Sequence, residues 1–289
     1  MFFRLFHTQK TMEESKILLQ EGYDLYNQKR YLESIVKFKK AIECDKNVSL
    51  NPDIWQYIAI GYYYSNRYNE AIQNQNEALI IAPKCENYWI WKACILREMH
   101  NFEGSREAFE KSLEINPSNS KTWNLLGDLY YHNRKLTDAI KAYSISLSYN
   151  DEDPIVLGNK ASVQFDCYWK LKRDKEKEYP LEKEIEMLYE ILGTYKKIIL
   201  ITPDNAEIHK NLGETYALLQ QYESALDSFN RTLNLYSQKG KAPEEGFNDI
   251  WSSLADVLRN LGRDDEAEEY MNKIRQNTRG MPRMRHLKF

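Results

Sequence analysis

The chain has 289 residues, of which 42% are hydrophobic and 13% aromatic, and such a composition argues against wholesale disorder. Its 40 basic and 43 acidic residues leave a formal net charge of −3, so total charge does not favour nucleic acid or anionic membranes as partners. No apolar run reaches the roughly 18 residues of a membrane-spanning helix, and the apolar start at residues 1–6 is too short for a signal peptide core. The four cysteines show no C-x-x-C spacing, which indicates free thiols. We therefore expect a cytoplasmic protein without a membrane span.

A period of 34 residues runs through the chain. It is kept by three tryptophans, Trp55, Trp89 and Trp123, and by the small residues Ala71, Ser105 and Ala139. Self-similarity at a fixed period predicts a stack of similar supersecondary units rather than one globular core. Each unit of such a stack packs on its neighbours, so the length of the chain does not by itself imply two domains.

Residues 86–119 show what one unit contains. Apolar residues recur at helical spacing up to about Met99, and again from Phe102 to Ile115. A polar break at residues 100–101 separates the two halves. Asn116 and Pro117 close the unit, since proline cannot continue a helix and disfavours helical geometry in the residue before it. The unit therefore predicts a pair of antiparallel helices.

Repeats of this kind can be placed along most of the chain as a single array over residues 15–276. In chain order they lie near residues 15–48, 52–85, 86–119, 120–153, 154–205, 206–239 and 248–276. The N-terminal segment 1–14 precedes them, and we expect it to be a floppy start or a strip that packs on the first helix. The basic C-terminal tail 277–289 follows, and it is either disordered or a docking strip for an acidic partner.

The fifth repeat, residues 154–205, is 18 residues longer than the period. Its extra residues lie around 168–187, where charges of both signs alternate before Pro180. Proline favours the first turn of a helix, so Pro180 predicts a new helix start. We predict that both helices of this repeat are lengthened into an extended helical hairpin, which is either a tolerated insertion or a second contact surface.

The pattern of large and small residues resembles the tetratricopeptide repeat. Counting from the first residue of repeat 120–153, the family's preferences at positions 4, 7, 8, 11, 20, 24 and 27 are met by Trp123, Leu126, Gly127, Tyr130, Ala139, Tyr143 and Ser146. Asp151 stands where the family usually has proline, and in repeat 52–85 Gln75 replaces the aromatic residue of position 24. The resemblance implies an all-α fold, a right-handed superhelix or α-solenoid of about seven tetratricopeptide repeats.

Small residues at positions 8, 20 and 27 let the two helices of a pair approach closely, and large residues fill the gaps that remain. Extra bulk at a small position would over-pack the core, which costs typically about 1–3 kcal/mol. His209 stands at the position of the tryptophans, so we expect it to fill the core rather than to bind a metal ion.

In the family that the chain resembles, positions 2, 5, 9 and 12 of the first helix of each repeat line a concave groove. Applied to this chain, the resemblance implies a peptide-binding groove formed by Tyr23, Tyr26, Ile60, Tyr63, Ile90, Cys94, Arg97, Asn124, Asp128 and Tyr131. Tyrosine suits peptide capture because it buries a large area and keeps a polar tip. We predict that these residues bind a peptide or a helix segment of a partner protein. Alternatively, the aromatic residues cover one another or receive the strip of residues 1–6.

The chain shows no catalytic motif. Its five histidines form no metal-binding spacing, and it has no phosphate-binding glycine loop, dinucleotide fingerprint or G-x-S-x-G turn. We expect no enzyme activity, no cofactor and no metal site. The leading interpretation is a non-enzymatic interaction scaffold.

Three more specific interpretations remain to be weighed. Single-stranded RNA could stack on the groove tyrosines, but the later repeats place mostly acidic residues in the groove, which argues against nucleic acid as a partner. Self-assembly through incompletely capped ends is a second alternative, and the oligomeric state stays open. Some family members bind chaperone C-termini through a clamp, in which Lys and Asn side chains hold two carboxylates of the ligand. The first repeat has Leu19 and Tyr23 where this clamp requires Lys and Asn, which disfavours this role.

Overall fold

The computed structural model describes residues 2–173, 180–238 and 247–280, and the side chains of residues 11–173, 180–238 and 247–277. Within these residues the chain is helical and contains no strand, and consecutive helices pack against each other in pairs. The prediction of an all-α fold built from helix pairs is therefore confirmed.

The chain divides into two compact units, residues 1–149 and 150–289. The N-terminal unit contains four pairs: α1 (Phe2–Asn27) with α2 (Tyr31–Cys44), α3 (Pro52–Tyr64) with α4 (Tyr68–Ile81), α5 (Glu86–Glu98) with α6 (Phe102–Ile115), and α7 (Ser120–His132) with α8 (Leu136–Tyr149). A short 3₁₀ turn, Lys46–Leu50, connects α2 to α3.

The C-terminal unit has three described pairs. They are α9 (Pro154–Arg173) with α10 (Leu181–Ile201), α11 (Ala206–Leu218) with α12 (Tyr222–Gln238), and α13 (Phe247–Asn260) with α14 (Asp264–Gly280). The fifth pair carries the long repeat: α9 has 20 residues and α10 has 21, against 13 and 14 in α7 and α8. Part of the extended hairpin, residues 174–179, and most of the basic tail, residues 281–289, lie outside the described residues.

The N-terminal segment differs from the expectation. Helix α1 begins at Phe2, so residues 2–14 continue the first repeat's helix instead of forming a separate segment. No proline or glycine occurs before Gly22 to interrupt the helix. Residues 2–6 are thus part of α1 rather than an extended strip along the predicted groove.

In three of the pairs, the close contact between the two helices places a glycine opposite an aromatic ring. Gly127 of α7 faces Tyr143 of α8, and a Cβ built on this glycine would lie 2.6 Å from Cε1 of the ring. The same pairing occurs between Gly213 and Phe229, where the closest approach would be 2.8 Å. The preference for a small residue at position 8 therefore has a direct steric cause.

The tryptophans that mark the period anchor the turns between successive pairs. Each indole N–H donates a hydrogen bond of 2.8–2.9 Å to the backbone carbonyl six residues earlier: Trp55 to Ser49, Trp89 to Pro83, and Trp123 to Pro117. His209 places Nε2 2.9 Å from the carbonyl of Pro203, the equivalent residue. The imidazole thus reproduces the hydrogen bond of the tryptophans.

In six of the described pairs, the turn between the two helices ends the first helix in the same way. In α5, the N–H of Asn101 bonds to the carbonyl of Leu96 and the N–H of His100 to that of Arg97, which is the Schellman motif. Its left-handed residue has a φ of 58° at His100, although glycine is the usual choice there. The corresponding left-handed residues of the other pairs with this turn are Lys29, Asn66, Arg134, Gln220 and Gly262.

Candidate functional site

The ten residues of the predicted groove all lie on the first helices of the four N-terminal pairs, α1, α3, α5 and α7. Nine of them are half-buried, as expected for side chains on a packed surface that keep a free portion. Ile60 is different: only 6% of it is exposed. Helix α3 contacts helices of the pairs on both sides, α2 and α5, and both Ile60 and its neighbour one turn earlier, Gln56, are buried. Ile60 therefore serves the core and offers no surface to a ligand.

An aromatic cluster is formed by side chains of the first two helix pairs and of α5. It consists of Tyr23, Tyr26, Tyr31, Phe38, Tyr57, Tyr63, Tyr64, Tyr68 and Trp91. Tyr23 and Tyr26 pack edge-on against Tyr57, with ring centroids 5.1 and 4.9 Å apart. Tyr63 packs edge-on against Trp91 at 5.7 Å. At Tyr23 and Tyr26, the aromatic residues thus largely cover one another.

The groove positions carried over from the family include only three of the nine members of the aromatic cluster, and Tyr57, Tyr64 and Trp91 are among the six that they missed. Tyr57 and Trp91 stand at position 6 of successive repeats, and Tyr64 at position 13 of the second repeat. Tyr64 stacks on Tyr31 with centroids 4.9 Å apart and planes 17° apart, yet it remains 52% exposed. The signal that could have revealed the first two is their 34-residue spacing, which places aromatic residues at the same position of adjacent pairs.

Burial raises the pKa of three phenols in the aromatic cluster, those of Tyr23, Tyr26 and Tyr63. It raises the pKa of Tyr26 to about 12, and it raises the pKa of Tyr23 as well, with smaller effects from neighbouring groups. The pKa of Tyr63 is also raised, first by burial and then by the nearby Glu98 and Cys94, while Arg97 acts in the opposite direction. Tyr63 of α3 packs against Trp91 of α5, and the effects of Cys94 and Arg97 on its pKa place these three predicted groove residues in one neighbourhood.

A pocket of about 490 Å³ lies between the ends of α5 and α7. It brings the predicted residues Arg97 and Asp128 together. The remaining lining residues are Glu98, His100, Phe102, Leu129, His132 and Asn133. The wall combines polar and apolar surface and carries both signs of charge, and Phe102 and Leu129 supply apolar groups.

Tyr143 of α8 fixes the position of the Asp128 carboxylate. The buried Tyr143 hydroxyl donates a hydrogen bond of 2.6 Å to Oδ1 of Asp128. Burial and this hydrogen bond both raise the pKa of Tyr143 far above its usual value, so the hydroxyl stays protonated and remains a donor. One wall of the pocket is therefore fixed to the same ring that packs against Gly127.

No cluster of three or more His, Cys, Asp or Glu suited to a metal ion occurs among the described residues. Over the same part of the chain, no helix combines the length and the apolar character needed to cross a membrane. The site just described consists of aromatic faces, a mixed-charge pocket and half-buried aliphatic side chains.

Comparison with known proteins gives repeat matches in both units. Models of the tetratricopeptide repeat match residues 86–119, 108–141, 194–227 and 249–274. The curated "Hsp70-Hsp90 organising protein" of Plasmodium falciparum is 29% identical over 180 residues, which is 60% of this chain and 27% of that protein. The chain thus spans little more than a quarter of this relative's length.

Solved structures resemble the chain in fold. The C-terminal part of a TPR repeat-containing protein from Cytophaga hutchinsonii superposes with a TM-score of 0.70 at 13% identity, over 91% of this chain and 99% of that one. A tetratricopeptide repeat protein from Parabacteroides merdae gives 0.57 at 13% identity, over 94% and 95%. YrrB, described as a TPR protein with an unusual peptide-binding site, gives 0.52 at 18% identity, over 68% and 91%.

Proposed function

Since this chain is a tetratricopeptide-repeat protein, we propose that it is a non-enzymatic scaffold that binds a peptide-like segment of a partner protein. The binding surface is the face formed by α3, α5 and α7 in the N-terminal unit. The observation that carries this proposal is the juxtaposition of Tyr63, Cys94 and Arg97 next to a pocket that also contains Asp128. YrrB, with a similar fold, is itself described as binding peptides.

The chemistry of the face defines the kind of segment that fits. Tyr63, Ile90 and Cys94 offer half-buried apolar surface for one or two aliphatic or aromatic side chains of the partner. Arg97 and Asp128 offer a donor and an acceptor in the adjoining pocket, which can fix the orientation of a backbone or a polar side chain. A segment that alternates apolar and polar groups satisfies both parts.

A chaperone tail bound through paired carboxylates is a less suitable ligand. The relative from Plasmodium falciparum is named as an organiser of Hsp70 and Hsp90. In this chain, however, the positions that would supply the first Lys and Asn of the clamp are Leu19 and Tyr23, and Tyr23 is packed against Phe38 and Tyr57. We therefore place binding at α3, α5 and α7 rather than at α1.

Peptides selected from a random phage-displayed library on the full chain test this function. We expect Tyr63→Ala/Tyr131→Ala to weaken binding of the selected peptides about tenfold or more, because truncated aromatic anchors commonly cost 2 kcal/mol or more. The measurement is the dissociation constant by fluorescence anisotropy, with circular dichroism to show that the variant remains helical.

Ile80→Ala/Tyr149→Ala provides the matched control. Both residues are exposed large hydrophobics of the same unit, but they lie on the second helices α4 and α8. The control should bind as tightly as the parent. Equal binding by the parent and a folded Tyr63→Ala/Tyr131→Ala variant would exclude this face as the site.

A further inference from the structure

The lengthened helix α10 carries an exposed apolar ridge. Leu181, Ile185 and Tyr189 follow one another at four-residue spacing, which places them on one side of the helix. They are 67%, 40% and 52% exposed. The adjacent stripe of α10, with Leu188, Ile191 and Leu192 among its buried residues, already faces the protein interior. We call Leu181, Ile185 and Tyr189 the α10 ridge.

One residue of the α10 ridge contacts the neighbouring pair, α11 and α12. Gln221 lies in the turn between α11 and α12, and its Nε2 donates a hydrogen bond of 3.2 Å to the hydroxyl of Tyr189. Tyr189 thus lies level with that turn. Ile185 and Leu181 lie one and two turns farther toward the start of α10, about 6 and 12 Å along its axis. Both residues therefore lie on the part of α10 that precedes its contact with this turn.

Acidic side chains border the α10 ridge. Glu182 and Glu186 are exposed, and each directly follows a ridge residue, so that they form the solvent edge of the ridge. Glu184 is the side chain that forms the ion pair with Lys172 of α9. Lys183 lies on the opposite side of the helix from the ridge, as the helical period dictates. The charge along the edge is therefore negative.

We propose that the α10 ridge docks a short amphipathic helix of a partner protein, with aliphatic side chains on one face and Lys or Arg at its border. A helix is the matching shape because side chains at four-residue spacing form ridges that pack into the grooves of another helix. The basic border follows from charge complementarity with Glu182 and Glu186. This surface belongs to the C-terminal unit and is separate from the groove of the N-terminal unit.

Synthetic helical peptides provide the test. The probe is a 14-residue peptide with leucines at four-residue spacing flanked by lysines, compared with a scrambled peptide of the same composition and with one carrying glutamate in place of lysine. Fluorescence anisotropy with the full chain should show tighter binding of the Leu/Lys peptide than of either comparison. Leu181→Ser/Ile185→Ser should weaken that binding about tenfold or more, as for loss of a central apolar anchor.

Charge reversal and an exposed-surface control complete the design. Glu182→Lys/Glu186→Lys should switch the preference to the Leu/Glu peptide, an effect that a purely structural role would not produce. Leu50→Ser/Ile80→Ser, which alters exposed apolar residues in the N-terminal unit, should leave binding unchanged.

The results that overturn the proposal are equally defined. They are equal binding of the Leu/Lys and scrambled peptides, or unchanged binding by a folded Leu181→Ser/Ile185→Ser variant. If removal of residues 281–289 strengthened binding tenfold, the occupant would be the chain's own basic tail, and the partner assignment would be wrong. None of these outcomes bears on peptide binding at Tyr63 and Tyr131.

Discussion

Gly127→Ala is expected to lower the free energy of unfolding by about 1–3 kcal/mol, the cost of over-packing a filled core. The added methyl group would lie 2.6 and 2.7 Å from Cε1 and Cδ1 of Tyr143. The ring cannot easily move away, because Tyr143 is buried and its hydroxyl is bonded to Asp128. The two helices must separate, or the ring must tilt and lose that hydrogen bond.

Gly158→Ala is the matched control for this prediction. Gly158 lies within α9, and a Cβ built there would meet no atom within 4 Å. Alanine should therefore stabilise α9 by up to about 1 kcal/mol, the difference in helix propensity. Urea unfolding followed by circular dichroism measures both effects. The steric account fails if Gly127→Ala is as stable as the parent protein, or if both substitutions shift stability in the same direction.

Phe109→Ala should have a larger effect, about 3–5 kcal/mol, because it removes a large side chain from a closely packed interior. Phe109 is fully buried in a core cluster that includes Ala93 of α5 and Leu126 and Leu129 of α7. The cavity would therefore open between the two helices that carry Arg97 and Asp128. Loss of stability and loss of peptide affinity should accompany each other in this variant.

Ile115→Ala, on the same helix α6, is the control that shows whether the loss of stability depends on burial. Ile115 is exposed, so its truncation should change the free energy of unfolding by less than about 0.5 kcal/mol. The measurement is again urea unfolding, supported by hydrogen exchange of α5 and α7. A loss below 1 kcal/mol for Phe109→Ala would contradict the packing described for this unit.

The helix pairs could be predicted from sequence because their signals are local. The repeat starts expected at residues 52, 86 and 120 coincide with the first residues of α3, α5 and α7. Pro52 at the start of α3 and the polar residues before each helix act within a few residues of chain. Helix α1 begins earlier than expected. The repeat pattern marks only where the family's unit starts, and a helix can continue before that point when no proline or glycine interrupts it.

The candidate site was less predictable because it depends on contacts between pairs. The family positions include Arg97 and Asp128, which line one pocket, and Tyr63, whose pKa is affected by Arg97. They did not reveal that Ile60 is buried, or that Tyr57 and Trp91 belong to the aromatic cluster. Both facts depend on the rotation of one pair against the next, and a single sequence does not encode that rotation in any local pattern.

The left-handed turn residues show a related limit. His100 occupies a backbone conformation that usually selects glycine, and its neighbours fix that conformation through the Schellman hydrogen bonds. A search for glycine would have missed this helix end. The polar break at residues 100–101 located the turn but could not specify its geometry.

Thiol labelling tests the central claim most directly, because a cysteine lies within the proposed binding face. Cys94 is half-buried beside Tyr63, and burial raises the pKa of its thiol, so alkylation at neutral pH should be slow in the free protein. Cys167 in α9 is half-buried and its pKa is also raised by burial, which makes it an internal reference outside the N-terminal unit. Iodoacetamide modification of each cysteine can be followed by mass spectrometry with and without a selected peptide.

At a peptide concentration about ten times the dissociation constant, a ligand that covers Cys94 should slow its alkylation about tenfold. The rate at Cys167 should not change. An unchanged rate at Cys94 under saturating peptide, or equal protection of both thiols, would contradict binding across α3, α5 and α7.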